Sequence, residues 1–196
     1  EAIGIELTME GRLALAVGMT LANKYHVARH LGQGGFGTTF LVEDLGLGRE
    51  CVIKAPTRSS AEDLEQFTQE ARLLAGLQRH PHLPVVYELL PVDSVPCLVM
   101  EYIQSRTLKE LAENRSSPFS VNQVRRWANH LLDAIVHLHQ QKPPVIHRDI
   151  KPDNVCVTDD NLAILIDFGI ARRLDETRTT PAARASSTGY SPIEQY

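Results

Sequence analysis

The octet His147-Arg148-Asp149-Ile150-Lys151-Pro152-Asp153-Asn154 gathers carboxylates, cations, an imidazole and an amide inside an apolar frame. Val145-Ile146 before it and Val155-Cys156-Val157 after it have the letters of short buried strands, so the polar run is a loop held between them. Such a loop can aim side chains. Pro152 fixes its own backbone and restricts Lys151 before it, which suits a site where a base, a cation and an amide ligand keep a fixed relation.

The elements that must position this loop follow from the rest of the chain. Tyr25 to Leu31 and Thr38 to Asp44 read as two strands joined by Gly32-Gln33-Gly34-Gly35-Phe36-Gly37, a G-x-G-x-x-G loop. Glycines there let a backbone approach phosphates closely, and they also suit an ordinary hairpin turn. A dinucleotide fingerprint needs a helix directly after the glycines, whereas Thr38-Thr39-Phe40-Leu41-Val42 is β-branched and aromatic and reads as a strand. Cys51-Val52-Ile53-Lys54 is a third strand, ended by Pro56. Ser60 to about Leu77 is a helix with a capping-box-like start, Ser60-x-x-Asp63, and apolar positions Leu64, Phe67, Ala71 and Leu74. Glu70 falls on that apolar face, and an inward carboxylate needs a cation. Val85 to Leu90 and Pro96 to Ile103 are two further strands. Thr107-x-x-Glu110 and Ser120-x-x-Gln123 are capping boxes, and the second opens a helix to about Gln140 with Val121, Val124, Trp127, Leu131, Ile135 and Leu138 on one stripe. Leu162 to Ile166 is a buried strand ending at Asp167-Phe168-Gly169, after which the chain turns polar through Ser191.

With 196 residues and 43% hydrophobic content the chain can bury a core. A net charge of −4 points to neither nucleic acid nor an anionic membrane as the main partner. Cys51, Cys97 and Cys156 are odd in number and widely spaced in apolar surroundings, so they indicate neither a disulfide framework nor a zinc site and fit a reducing cytoplasm. No apolar run reaches the roughly 18 to 20 residues that span a bilayer. The sequence opens on Glu1 and stops at Tyr196 in mid-pattern, as a piece of a longer polypeptide would.

The octet resembles the protein-kinase catalytic loop H-R-D-x-x-x-x-N, and the other motifs match the same family in order: the Gly-rich loop, Cys51 to Lys54 for V-A-I-K, Asp167-Phe168-Gly169 for D-F-G, and Ser191 to Glu194 for A-P-E. Within that family the chain resembles the bacterial, eukaryotic-like (Hanks-type) Ser/Thr class. The resemblance implies an α+β, two-lobe fold: an extension over 1–22, a small lobe over 23–100 with a five-stranded antiparallel sheet and one helix (the family's αC), a hinge over 101–104, and a partial, mainly helical large lobe over 105–196. The catalytic loop would be 147–154 and the activation loop 167–194. It implies transfer of the γ-phosphoryl of ATP, with Mg2+, to a Ser or Thr hydroxyl of a protein. Asp149 would be the base, Lys151 would stabilise the transferred group, Lys54 paired with Glu70 would hold the α- and β-phosphates, and Asn154 and Asp167 would hold the metal. The nucleotide would meet Gly32, Gln33, Gly34, Gly35, Phe36, Gly37, Thr39, Val52, Lys54, Met100, Glu101, Ile103 and Cys156. Thr39 stands where the family has Val, and Val52 where it has Ala, so the pocket would be more polar in its roof and tighter.

The match further implies a spine of Leu74, Val86, His147 and Phe168, control by phosphorylation at Thr177, Thr179 or Thr180 through Arg148, a substrate-contacting hydroxyl at Ser187 or Thr188, and self-association for trans-autophosphorylation. Ile193 is an extra residue between Pro192 and Glu194 relative to A-P-E. The alternative function is a nucleotide-binding module that does not transfer phosphate, since the family's further large-lobe helices, which pair the residue matching Glu194, do not follow. An antibiotic phosphotransferase fits the Gly-rich loop and Lys151 less well.

Overall fold

Alternating apolar letters from Tyr25 onward build the sheet that the motifs imply, and a computed structural model of the chain, which describes residues 6–7, 13–34, 37–57, 60–167 and 172–173, places it in the first of two units. The first unit is Glu1–Gly76 with Val85–Tyr102, and the second is Leu77–Pro84 with Ile103–Tyr196. Gly35, Phe36, Phe168, Gly169, Thr177, Thr179, Thr180, Ser187, Thr188 and Glu194 lie outside the described residues.

In the first unit, β1 (Glu6–Leu7) pairs with β2 (Leu13–Ala14). The main sheet follows as β3 (Thr20–Leu21), β4 (Tyr25–Gly34), β5 (Gly37–Asp44), β6 (Arg49–Ala55), then helix α1 (Ala61–Ala75), β7 (Val86–Val92) and β8 (Val95–Glu101). Its order is β3-β4-β5-β6-β8-β7, antiparallel at every step. The expected five strands are there, and β3 adds a sixth at the edge. Residues 15–21, read in the sequence as part of an extension, supply Leu15, Met19 and Leu21 to the core of this unit.

Turn chemistry fixes the register. The Asp44 carboxylate accepts from the N–H groups of Gly46 (3.1 Å) and Leu47 (3.2 Å), and Gly48 supplies φ +60 before β6 begins. Asp93 and Ser94, at φ 47 and 68, form the two-residue link between Val92 and Val95, the mirror-image turn that matches strand twist. Helix α1 starts at Ser60, whose hydroxyl accepts from Asp63 N–H (3.1 Å), and it buries Phe67, Ala71, Leu73 and Leu74.

The second unit holds β9 (Arg106–Thr107), α2 (Leu108–Glu113), α3 (Val121–His139), β10 (Val145–Ile146), β11 (Val155–Val157), β12 (Ala163–Leu165) and β13 (Arg172–Arg173). β11 lies between β12 and β9, and β10 pairs with β13, all antiparallel. Both capping boxes form: Thr107 with Glu110, and Ser120 with Gln123. One expectation needs correction. Val121 and Val124, assigned to the buried stripe of α3, are 72% and 50% exposed, while Trp127, Ala134 and Leu138 are buried. Those three lie almost on one line, and Val124 and Val121 are turned about 60° and 120° away from it. The buried face is rotated toward His130 and His137, which pack on other parts of the unit, so the apolar letters alone misplace it. Among the described residues no helix is long and apolar enough to cross a membrane.

Replacing Ser120 by Ala removes the acceptor for Gln123 N–H and should lower the stability of the second unit by about 1 kcal/mol. Ser120→Asp should restore most of it. Urea unfolding followed by Trp127 fluorescence reads both, and equal midpoints for Ser120→Ala and the parent chain would show that the cap is not stabilising.

Candidate functional site

Strand pairing sorts the residues of the first unit before any ligand is considered. Gly32 faces Thr39 and Thr39 faces Lys54; Leu41 faces Val52, and Val52 faces Met100. Directly opposed residues, and residues two apart on a strand, share a face. Gly32, Thr39, Val52, Lys54 and Met100 therefore line one side of the sheet. Phe40, Val42, Cys51, Ile53, Cys97 and Val99 occupy the other, where they join the buried cluster. Gly37 is needed at its place: a Cβ there would lie 2.7 Å from the Ala55 carbonyl oxygen and 3.2 Å from the Lys54 stem. Gln33 and Gly34 pair with Thr38 and Gly37 at the strand ends.

Lys54 Nζ lies 4.0 Å from Glu70 Oε1, with side chains 8% and 11% exposed. Glu70 stands three residues after Phe67 and four before Leu74, both buried, so the helix period carries its carboxylate inward. At the end of β8 the Glu101 N–H donates to the Val85 carbonyl (2.8 Å), and the Glu101 carboxylate accepts from the Val85 N–H (3.0 Å). The side chain of Glu101 is thus a staple for Val85, a role its sequence position does not reveal. Ile103 begins the remainder of the second unit.

In the second unit the octet forms a loop from β10 to β11 that closes with a single 3₁₀ turn, Pro152–Asn154. Pro152 sits at the first position of that turn, where no N–H is needed. Asp149 Oδ2 accepts from Lys151 Nζ and from Asn154 Nδ2, each at 2.8 Å, and Asn154 Nδ2 also donates to the Asp149 carbonyl (2.8 Å). Asn154 is 6% exposed. Its N–H donates to the Lys151 carbonyl (2.9 Å), and its carbonyl accepts from Ile166 N–H (2.8 Å). Asp149 N–H donates to Nδ1 of buried His147 (3.3 Å), which gives that histidine a packing and bracing part. Arg148 and Asp167 take left-handed backbone, φ 67 and 59, a strained choice for side chains of their kind. Asp167 is exposed. Lys109 reaches Asp153 at 2.8 Å across the surface.

Chemically, the loop holds a carboxylate whose two donors are fixed, beside a lysine and an amide. The amide nitrogen of Asn154 is committed to Asp149, which leaves its oxygen as the atom able to meet a cation. Nothing in the sequence singles out His82 and His130, which brace β12 immediately before Asp167. Their partners are 81 and 33 residues away, beyond any local signal.

Cys156 is buried in β11 opposite Ile164 and Thr107, and burial pushes its thiol up, with the Ser105 hydroxyl opposing. Burial pushes Cys97 up to about 12. A raised thiol is almost entirely protonated near neutrality, so alkylation of Cys156 by iodoacetamide should climb about tenfold per pH unit through the range above pH 7 without levelling off near the ordinary thiol value of about 8.5. A plateau at that value, followed by peptide mapping, would contradict the assignment.

A protein kinase domain model matches residues 25–194. The serine/threonine-protein kinase PrkC of Bacillus subtilis (strain 168) is 32% identical over 169 residues, which cover 85% of this chain and 26% of PrkC. Serine/threonine-protein kinase C of Synechocystis sp. (strain ATCC 27184 / PCC 6803 / Kazusa) is 35% identical over 191 residues, 89% of this chain and 35% of that protein. The chain thus spans about a quarter to a third of the length of these curated relatives. A solved structure described as the apo form of PpkA-294 is similar with a TM-score of 0.68 at 27% identity, covering 80% of this chain and 62% of that one. With the kinase-domain match running from the first long strand to beyond the polar segment, and the Asp149 loop and the Lys54–Glu70 pair formed inside it, the chain belongs to the protein kinase family.

Proposed function

We propose that the chain transfers the γ-phosphoryl group of Mg-ATP to a Ser or Thr hydroxyl of a protein substrate. The observation that carries this is Asn154, whose side-chain amide nitrogen holds Asp149 and whose backbone carbonyl accepts from the N–H of Ile166, the residue before Asp167. The proposed proton acceptor and the residue leading to the second proposed metal ligand are thereby both tied to Asn154.

In this proposal Asp149 orients the acceptor hydroxyl and takes its proton as the oxygen–phosphorus bond forms, while the departing phosphoryl leaves ADP behind. Lys151, already hydrogen-bonded to Asp149, offsets charge on the moving phosphoryl group. Lys54 receives the α- and β-phosphates, and Glu70 keeps it from turning away. The Gly32–Gly37 loop approaches the phosphates, and Thr39, Val52 and Met100, together with Glu101, Ile103 and Cys156, meet the base. The donor set fits magnesium: the Asn154 amide oxygen and the Asp167 carboxylate are hard oxygens, and this ion is commonly held by one or two such groups with the rest of its shell from phosphate and water. When bound, magnesium supplies neutralisation of the phosphate charge. Phosphorylation at Thr177, Thr179 or Thr180, delivered by a second copy and sensed by Arg148, belongs to the same proposal, as does Ser/Thr selectivity through Lys151.

The test is transfer of radiolabelled γ-phosphate from Mg-ATP to the chain and to a basic protein substrate. Label should appear with the parent chain and fall by about a thousandfold in Asp149→Asn, in keeping with the loss of a general base, while nucleotide binding measured by calorimetry stays within about threefold. Lys54→Ala should weaken both. Binding without transfer in the parent chain would instead support the nucleotide-binding module.

A further inference from the structure

Two imidazoles grip the outer edge of β12. Ala163 N–H donates to Nδ1 of His130 (3.2 Å), and the Ala163 carbonyl accepts from Nδ1 of His82 (2.9 Å). These contacts require opposite tautomers: Nδ1 of His130 must be bare, and Nδ1 of His82 must carry the proton. The rings stack 4.2 Å apart at 15°. His82 is buried, and its own carbonyl accepts from Leu165 N–H (2.9 Å). The other edge of β12 is bonded to β11. β12 therefore hangs between a strand ladder and a pair of histidines, two residues short of Asp167.

Charged and titratable groups surround the pair on both elements that pack there. His80 lies beside His82, and Arg126, Asp133 and His137 lie on α3; the residues of β12 carry none. His80 stacks on His137 at 4.8 Å and meets His82 edge-on at 5.6 Å. Its Nδ1 accepts from His82 N–H (3.3 Å), and its Nε2 faces Asp133 Oδ2 at 3.4 Å. Burial, then the neighbouring His82 and Arg126, hold His130 below the ordinary imidazole range, with Asp133 opposing. Burial and His137 do the same to His80, again against Asp133.

We propose that His130 and His82 are positioning residues for Asp167, and that a proton taken from solvent onto Nδ1 of His130 releases the Ala163 N–H and loosens β12, so that phosphoryl transfer falls in acid. The inference rests on the kinase function proposed above. Because the folded His130 value lies below the unfolded one of about 6.5, the clamp is fully present above that pH and is lost as pH falls through the lowered value.

His130→Asn places an amide oxygen where Nδ1 accepts and cannot ionise. Amide hydrogen exchange at Ala163 and Leu165, corrected for intrinsic rates, and kcat for transfer are followed from about pH 8 to about pH 4.5. In the parent chain, protection and kcat should fall together by about fivefold or more, beyond any decline seen in His130→Asn. At about pH 8 that variant should match the parent within about twofold, whereas His130→Phe, lacking an acceptor, should be low throughout. The same acid decline in the parent and in His130→Asn would overturn the proposal, as would protection that titrates while kcat does not. Titrating protection with no transfer at any pH would refute the kinase function, and the positioning role with it.

Discussion

The proposed base and a proposed metal ligand are joined through the one amide of Asn154, so they cannot move independently. Asn154 reaches Asp149 through both hydrogens of its nitrogen, and its backbone is fixed at each end, by Lys151 on one side and Ile166 on the other. Every restraint is short-range: a proline at the start of one 3₁₀ turn, a 2.9 Å bond inside the loop, and a 2.8 Å bond to the strand that leads to Asp167. Preorganisation of this kind matters for phosphoryl transfer because the protein contributes alignment and charge placement and little covalent chemistry. The left-handed backbone at Arg148 and Asp167 is consistent with that emphasis, since both residues accept a costly conformation that the surrounding bonds hold in place.

The first unit solves a different problem, a lysine that must be kept inside. Strand alternation puts Lys54 on the face opposite the apolar cluster, and the absence of a side chain at Gly37 lets β5 lie against its stem. Lys54 and Glu70 are both nearly buried, so removing either partner strands the other charge, at a cost of about 3–5 kcal/mol. The pair is then better understood as fixing where α1 sits relative to β6 within this unit than as a source of net stability. It is a positional device, which is what the phosphate-binding role proposed for Lys54 needs.

Much of this was legible in the letters because the governing interactions are local. The capping boxes at Thr107 and Ser120, the start of α1 at Ser60 and the loop closed by Pro152 each depend on residues within a few positions, and each formed where the pattern placed it. Glu70 was legible in part: a single helical period links it to Phe67 and Leu74, and the match of Lys54 to a cation partner decided its inward direction. What the sequence hid depends on distant partners. The Val121 and Val124 side of α3 has the more apolar letters, yet the helix turns its Trp127, Ala134 and Leu138 line inward, with His130 and His137 beside it, because those histidines stack on His82 and His80. The edge strand β3 and the packing of Leu15 and Met19 were invisible for the same reason, as two residues of strand and a scattering of apolar letters acquire meaning only beside β4.

The double duty of Asn154 is the claim on which the rest stands, and the magnesium dependence of transfer in Asn154→Ala tests it most directly. If Asn154 both holds Asp149 and meets the metal, the variant should need about tenfold or more magnesium for half-maximal rate and should also show a kcat lowered by about a hundredfold at saturating metal. A lowered kcat with an unchanged magnesium requirement would contradict the account, leaving Asn154 as a brace for Asp149 alone.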